Sequence, residues 1–236
     1  MKSTSNFSVP LIDYYFNWQS IYILLSPGLL ASKNCKELIE RNFSWEMVRK
    51  EELAKFIKAS NFWNIFLSLF LLGTCITLSF LEIQANNLLF ELFKGFVMWR
   101  YISRSSEIAI AFSQDILSSE SASSLDNHAR MRLAIRSYVE IFVYSAAFYS
   151  AFSCSMPTKF EPILTSLFVG TLTNVSGGID SLIQCCIFSY DSEFWILFLR
   201  CSVYIQVFAT LSLIFFGFAG YLSRVKNPIR KSSHSR

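Results

Sequence analysis

Apolar and charged residues follow one another along this chain in blocks, not at the two-residue period of strands. Residues 62–81 carry no charge over 20 positions, about the length needed to cross a hydrocarbon core. Two more long apolar runs occupy residues 137–154 and 194–222, and a fourth, 88–102, carries Glu91, Lys94 and Arg100. Between the second and third of these lies a stretch opened by Pro157 and Pro162. It continues as a short apolar helix-like piece, residues 163–170, and then breaks into Thr171, Leu172, Thr173, Asn174, Val175, Ser176, Gly177 and Gly178. A segment too short to cross a bilayer, yet too apolar for an ordinary loop, reads as re-entrant. The pattern predicts an all-α, multi-pass transmembrane protein with about four spans and one re-entrant pore-loop helix.

Charge sets the expected topology. Lys and Arg gather at residues 33–58, 100–104, 130–136 and 224–236, whereas 82–91 and 180–193 hold acidic residues and no basic one. Basic loops stay in the cytoplasm, so the chain must return between residues 82 and 130, and 88–102 is the segment that can do it. Both termini are then expected in the cytoplasm, in a plasma-membrane protein. The expected organisation is an N-terminal interfacial segment (1–60), a two-helix membrane hairpin (61–117), a Ser-rich linker and basic helix (118–136), a helix–loop–helix module (137–222) and a basic tail (223–236). Residues 11–30, with Tyr14, Tyr15, Phe16, Trp18 and Tyr22 among Asp13, Asn17 and Gln19, read as an interfacial helix and not as a cleaved signal, whose apolar centre would be unbroken. Ser44 is placed to cap a charged helix with Glu46/Lys50 and Glu51/Lys55 pairs four apart. That helix is either a solvated face leading into the first span or a surface helix acting on the pore.

Composition narrows the function classes. A chain that is 53% hydrophobic, 17% aromatic and only 16% charged is not a soluble domain. Its partner is the lipid bilayer. The net charge of +4 sits where topology needs it, so no nucleic-acid partner is expected. The six cysteines have neither metal-ligand spacing nor a secreted pattern, and His128 and His234 are too few for a metal or catalytic site. No enzyme, cofactor or bound metal is expected.

An ion filter replaces a hydration shell with backbone carbonyls and hydroxyls, and glycines help turn carbonyls inward by accepting positive φ. Thr171, Thr173, Asn174, Val175, Ser176, Gly177 and Gly178 are therefore the candidate site. The helix–loop–helix arrangement with a Thr-x-Thr-x-Val-x-x-Gly core resembles the pore module of potassium channels, over residues 136–222. In register with the family's Thr-x-Thr-Thr-Val-Gly-Tyr-Gly-Asp, Thr171, Thr173, Val175 and Gly178 match. Asn174 replaces a Thr, Ser176 a Gly, Gly177 the Tyr and Ile179 the Asp, with Asp180 one place late. The upstream run 99–138 is similar to that of bacterial multi-pass proteins carrying such a module. The resemblance implies monovalent cations as permeant ions and a homotetramer, since one pore loop cannot enclose a pore. Ser176 is expected to carry strain where the family has glycine. The residues also fit a polar loop that dips into the bilayer without conducting, in a scaffold or in an accessory subunit among other membrane subunits.

Other residues have two readings each. Gly217 and Gly220 suit a gating hinge, which the resemblance implies, or a small-residue helix contact. Glu140 and Lys94 are ionisable residues near membrane depth that mark a path or a partner; Arg136 and Glu91 lie one turn away as local partners. Cys154, Cys185 and Cys186 fall on the expected outer side, where a disulfide can tie the loop. Asn6, Asn42 and Asn174 begin glycosylation-acceptor tripeptides, which also arise by chance.

Overall fold

A computed structural model of the chain describes residues 27–80, 88–117, 124–152, 160–187 and 193–215, and among these it contains seven α-helices and no strand. They are α1 (Pro27–Asn42), α2 (Glu46–Phe80), α3 (Leu88–Leu117), α4 (Asn127–Phe152), α5 (Glu161–Gly170), α6 (Val175–Ile187) and α7 (Glu193–Ser212). Residues 213–215 continue α7 with wider, π-type turns. Glu46–Phe80 and Glu193–Phe215 are long and apolar enough to cross a membrane. The expected hinge glycines Gly217 and Gly220 lie outside the described residues, as do residues 1–26, most of the Ser-rich linker and Cys154.

The charged helix and the first apolar run form one continuous 35-residue helix. It begins at Glu46, after Trp45, whose carbonyl accepts from Arg49 N. Ser44 is therefore not the residue at the cap. Lys50 pairs with Glu46 at 2.5 Å as expected, but Lys55 turns to Glu52 at 2.7 Å, not to Glu51. Pro27 opens α1, where its missing N–H costs nothing. α4 begins behind Asp126, whose Oδ1 accepts from Ala129 N at 2.8 Å, an ordinary side-chain cap.

α4 is the centre of the bundle. Tyr144, Ala146, Ala147, Phe148 and Tyr149 are all fully buried, which gives it apolar surface on every side, the mark of a central helix. α2 meets it through a stripe seven residues apart, Ala54, Asn61, Ser68 and Cys75, all buried. These small residues let the two helices approach closely, and Asn61 Nδ2 donates to Ser137 Oγ at 3.2 Å. The opposite face of α2 is apolar and uncovered, with Phe62, Trp63, Phe66, Leu69 and Phe70 all more than half exposed. From α3, Tyr101 stacks on Phe148 with centroids 5.2 Å apart, and Phe148 continues to Phe152 at 4.8 Å. Such ring pairs contribute about 0.5–1.5 kcal/mol beyond burial.

The charges in the middle of α3 face inward. Arg104 Nε and Nη2 donate to the two oxygens of Glu140 at 2.5 and 3.0 Å, and Arg104 Nη1 reaches Glu107 at 2.8 Å. Arg100 donates to Glu107 at 3.4 Å and to Asn64 Oδ1 at 2.6 Å. Two arginines and two carboxylates thus close a neutral layer between α2, α3 and α4. Glu140 is fully buried and its partner is Arg104, while Arg136, the expected partner, is exposed. The backbone explains the correction: Arg136 precedes Glu140 by one turn, yet Glu140 turns into the bundle, where an arginine from another helix saturates both oxygens. Lys94 does pair with Glu91, at 2.9 Å.

Candidate functional site: the α5–α6 hairpin

α5 has 10 residues and α6 has 13, roughly 15 and 20 Å at 1.5 Å per residue, each short of a bilayer's hydrocarbon thickness. Pro162 sits in the first turn of α5 and Glu161 beside it at the positive end of the helix, a good N-terminus on both counts. One face of α5 is buried through Thr165, Ser166 and Val169: Ser166 meets α4 and α7, and Thr165 and Val169 meet α6. The other, with Leu164, Leu167 and Phe168, is apolar and exposed.

The expected site residues divide at Asn174. Thr171–Asn174 make the turn, and Val175, Ser176, Gly177 and Gly178 form the first turn of α6. Among the described residues no glycine has positive φ, and the one non-glycine residue that does is Leu172, at 60°. The strain expected at Ser176 is therefore absent; it falls on Leu172, where the chain reverses. A helical backbone points its carbonyls along the helix axis, so residues 175–178 do not present a ladder of carbonyls to an ion. That corrects the filter geometry expected from the sequence.

Each hairpin residue has a local task instead. Asn174 caps α6, its Oδ1 accepting from Gly177 N at 2.9 Å and its carbonyl from Gly178 N at 3.1 Å. Gly177 leaves room for that cap, because a Cβ there would fall 2.3 Å from Asn174 Nδ2. Gly178 lets α6 lie close against α5: an added Cβ would fall 2.6 Å from Val169 Cγ2. The glycine pair serves a cap and a helix contact.

The carbonyls at the end of α5 are all engaged. Leu167 O accepts from Thr171 N at 2.9 Å and Thr171 Oγ1 at 2.8 Å, and Phe168 O from Thr173 N at 3.0 Å. Val169 O takes Leu172 N at 3.0 Å, and Gly170 O takes the Tyr138 hydroxyl at 3.1 Å. The Thr171 and Thr173 hydroxyls lie 2.9 Å apart. Thr171, Thr173, Asn174 and Ser176 are nevertheless exposed. The hairpin therefore ends in an exposed, hydroxyl-rich tip between two otherwise apolar half-length helices. Behind it, Ser166 Oγ lies 2.6 Å from Ser145 Oγ and donates to Phe142 O at 2.9 Å.

The pore-helix segment 163–170 is thus helical as expected. The Ser166–Ser145–Gln206 contacts behind it had no sequence signal, because their partners stand 21 and 40 residues away. Among the described residues, no group of three or more His, Cys, Asp or Glu gathers in a way that could hold a metal. No protein-family model matches the chain, and neither a curated protein nor a solved structure is similar to it.

Proposed function

We propose that this is a multi-pass, ion-channel-like membrane protein in which α5–α6 enters the bilayer from the outer side and returns, its tip lining a weakly selective cation path. α2, α3, α4 and α7 are the four spans, both termini are cytoplasmic, and subunits assemble around the tips, four in number by the resemblance to potassium-channel pore modules. The charges of α3 and α4 do not weigh against spanning, since Arg100, Arg104, Glu107 and Glu140 neutralise one another away from lipid.

The observation that carries the reading is the depth of an exposed polar turn. Asn61 sits beside Ser137 at the cytoplasmic end of the apolar run, and the Phe80 ring lies 6.4 Å from that of Phe160 at the other end. That run is roughly 28 Å long at 1.5 Å per residue, and α5 descends about 15 Å of it. Thr171–Asn174 then lie past the middle of that run, where Gly170 O meets the hydroxyl of Tyr138, the residue after Ser137. Non-helical polar backbone at that depth is tolerated where it meets protein or water. Because residues 175–178 are helical, selectivity comes from exposed hydroxyls and not from a carbonyl ladder, which makes potassium and sodium poorly distinguished.

A second reading, a non-conducting scaffold or accessory subunit, is favoured by one observation: every carbonyl at the end of α5 already has a donor. Flux decides between them. Purified protein in liposomes with potassium, sodium and chloride gradients should pass both cations at similar rates and exclude chloride. Gly178→Val, which drives α6 off Val169, should lower cation flux while membrane insertion persists. Absence of cation flux in assembled wild-type protein would remove the channel reading and leave the scaffold.

A further inference from the structure

The hairpin touches the rest of the bundle through few polar contacts, and one side chain makes the longest-range of them. Gln206 lies on α7 and is fully buried. Its Nε2 donates to Ser166 O at 2.9 Å and stands 3.4 Å from Ser166 Oγ, while its Oε1 accepts from the Tyr149 hydroxyl at 2.7 Å. The amide is thereby held at both ends: α4 fixes the oxygen, and the nitrogen grips α5 one turn before the Thr171–Asn174 tip. A buried amide left without partners costs more than a made hydrogen bond returns, so both ends of the amide favour this one placement.

We infer that Gln206 is a positioning residue, a clamp that sets how deep the α5–α6 hairpin sits. The contacts single it out. Ser166, its target, is itself fully buried and donates its own hydroxyl to Phe142 O, so Gln206 reaches the hairpin's spine and not its surface. The exposed face of α5, with Leu164, Leu167 and Phe168, is apolar and offers no hydrogen bond as an anchor. The apolar contacts of Val169 and Thr165 press α5 and α6 against each other, but they have no direction along the helix axis; a hydrogen bond does. Gln206 therefore couples the position of α7 to the hairpin, beside the α4 contacts made by Phe142, Ser145 and Tyr138. The inference rests on the hairpin geometry and holds whether or not ions pass.

Hydrogen–deuterium exchange on the full-length protein in detergent micelles tests it without any transport measurement. Gln206→Met keeps length and apolar volume and removes both polar ends. Exchange of the amides at residues 171–178 should rise roughly three- to twenty-fold, the range of measured interhelical hydrogen bonds in membrane proteins, with α2 amides unchanged. Tyr149→Phe, which frees Oε1 and leaves the Nε2 bond, should raise the same amides by less. Tyr144→Phe removes a different buried contact, to Asn64 O on α2, and should leave residues 171–178 as in wild type. Should Gln206→Met fail to fold, Tyr149→Phe against Tyr144→Phe decides. Unchanged exchange at residues 171–178 in the Gln206 and Tyr149 variants, or an equal rise with Tyr144→Phe, overturns the inference.

Discussion

The ionic layer and the hairpin tip handle polar groups in an apolar bundle by opposite means. In the layer, Arg100, Glu107 and Glu140 are buried and Arg104 is partly so, and beside the pairs within α3 the contacts that join helices are distant in sequence: Arg104 to Glu140 and Arg100 to Asn64, each 36 positions apart. At the tip, Thr171, Thr173 and Asn174 are satisfied within five residues and remain exposed. A buried, neutral and saturated cluster has nothing left to offer a ligand and holds helices together. An exposed polar turn that already satisfies its own backbone can sit at a water-lined surface without unravelling. On the proposed reading, the layer concentrates stability and the tip carries function.

The largest test of that division falls on the layer. Glu140→Leu leaves Arg100 and Arg104 against the single carboxylate of Glu107 and should destabilise the fold by about 3–5 kcal/mol, as removing one partner of a buried pair does. Adding Arg104→Leu should recover most of the loss, because Arg100 and Glu107 still neutralise each other. Unfolding by denaturant in micelles gives both values. A double variant as unstable as the single one would show that Arg104 has a role apart from the pair.

The tip should respond far less. Asn174→Ala removes the α6 cap and should cost about 1 kcal/mol, read as faster amide exchange at Gly177 and Gly178 with the rest of the fold unchanged. Global loss of structure from this change would mean that the tip carries stability as the layer does.

How much of this was legible in sequence follows the same divide. The short helix after Pro162, the turn at Thr171 and the uncharged run at residues 62–81 are local patterns, and each appears as read. The conformation of Ser176–Gly178 was not legible from composition. A Thr/Gly-rich octet suits an extended filter and a capped helix start equally, and Asn174, which can cap, decides for the helix. Glu140 misled for the opposite reason. Arg136 is its neighbour one turn away, but only the packing of α3 on α4 brings Arg104 to it. Gln206 gave no signal at all, since a single amide in an apolar helix shows its meaning only beside Ser166 and Tyr149.

Whether the tip meets water is the central claim, and two exposed positions on the same hairpin separate water from lipid. Phe168 lies on the outer face of α5, 44% exposed, and Thr173 lies in the turn, also exposed. Each is replaced by cysteine in turn, the protein is reconstituted in liposomes, and a water-soluble, charged thiol reagent is applied from both sides. Modification is located by peptide mass, so that native thiols such as the exposed Cys201 are counted separately. The account predicts rapid modification of the Thr173→Cys protein at that site and none at the Phe168→Cys site. An inert thiol at position 173, or equal reaction at both positions, would contradict it.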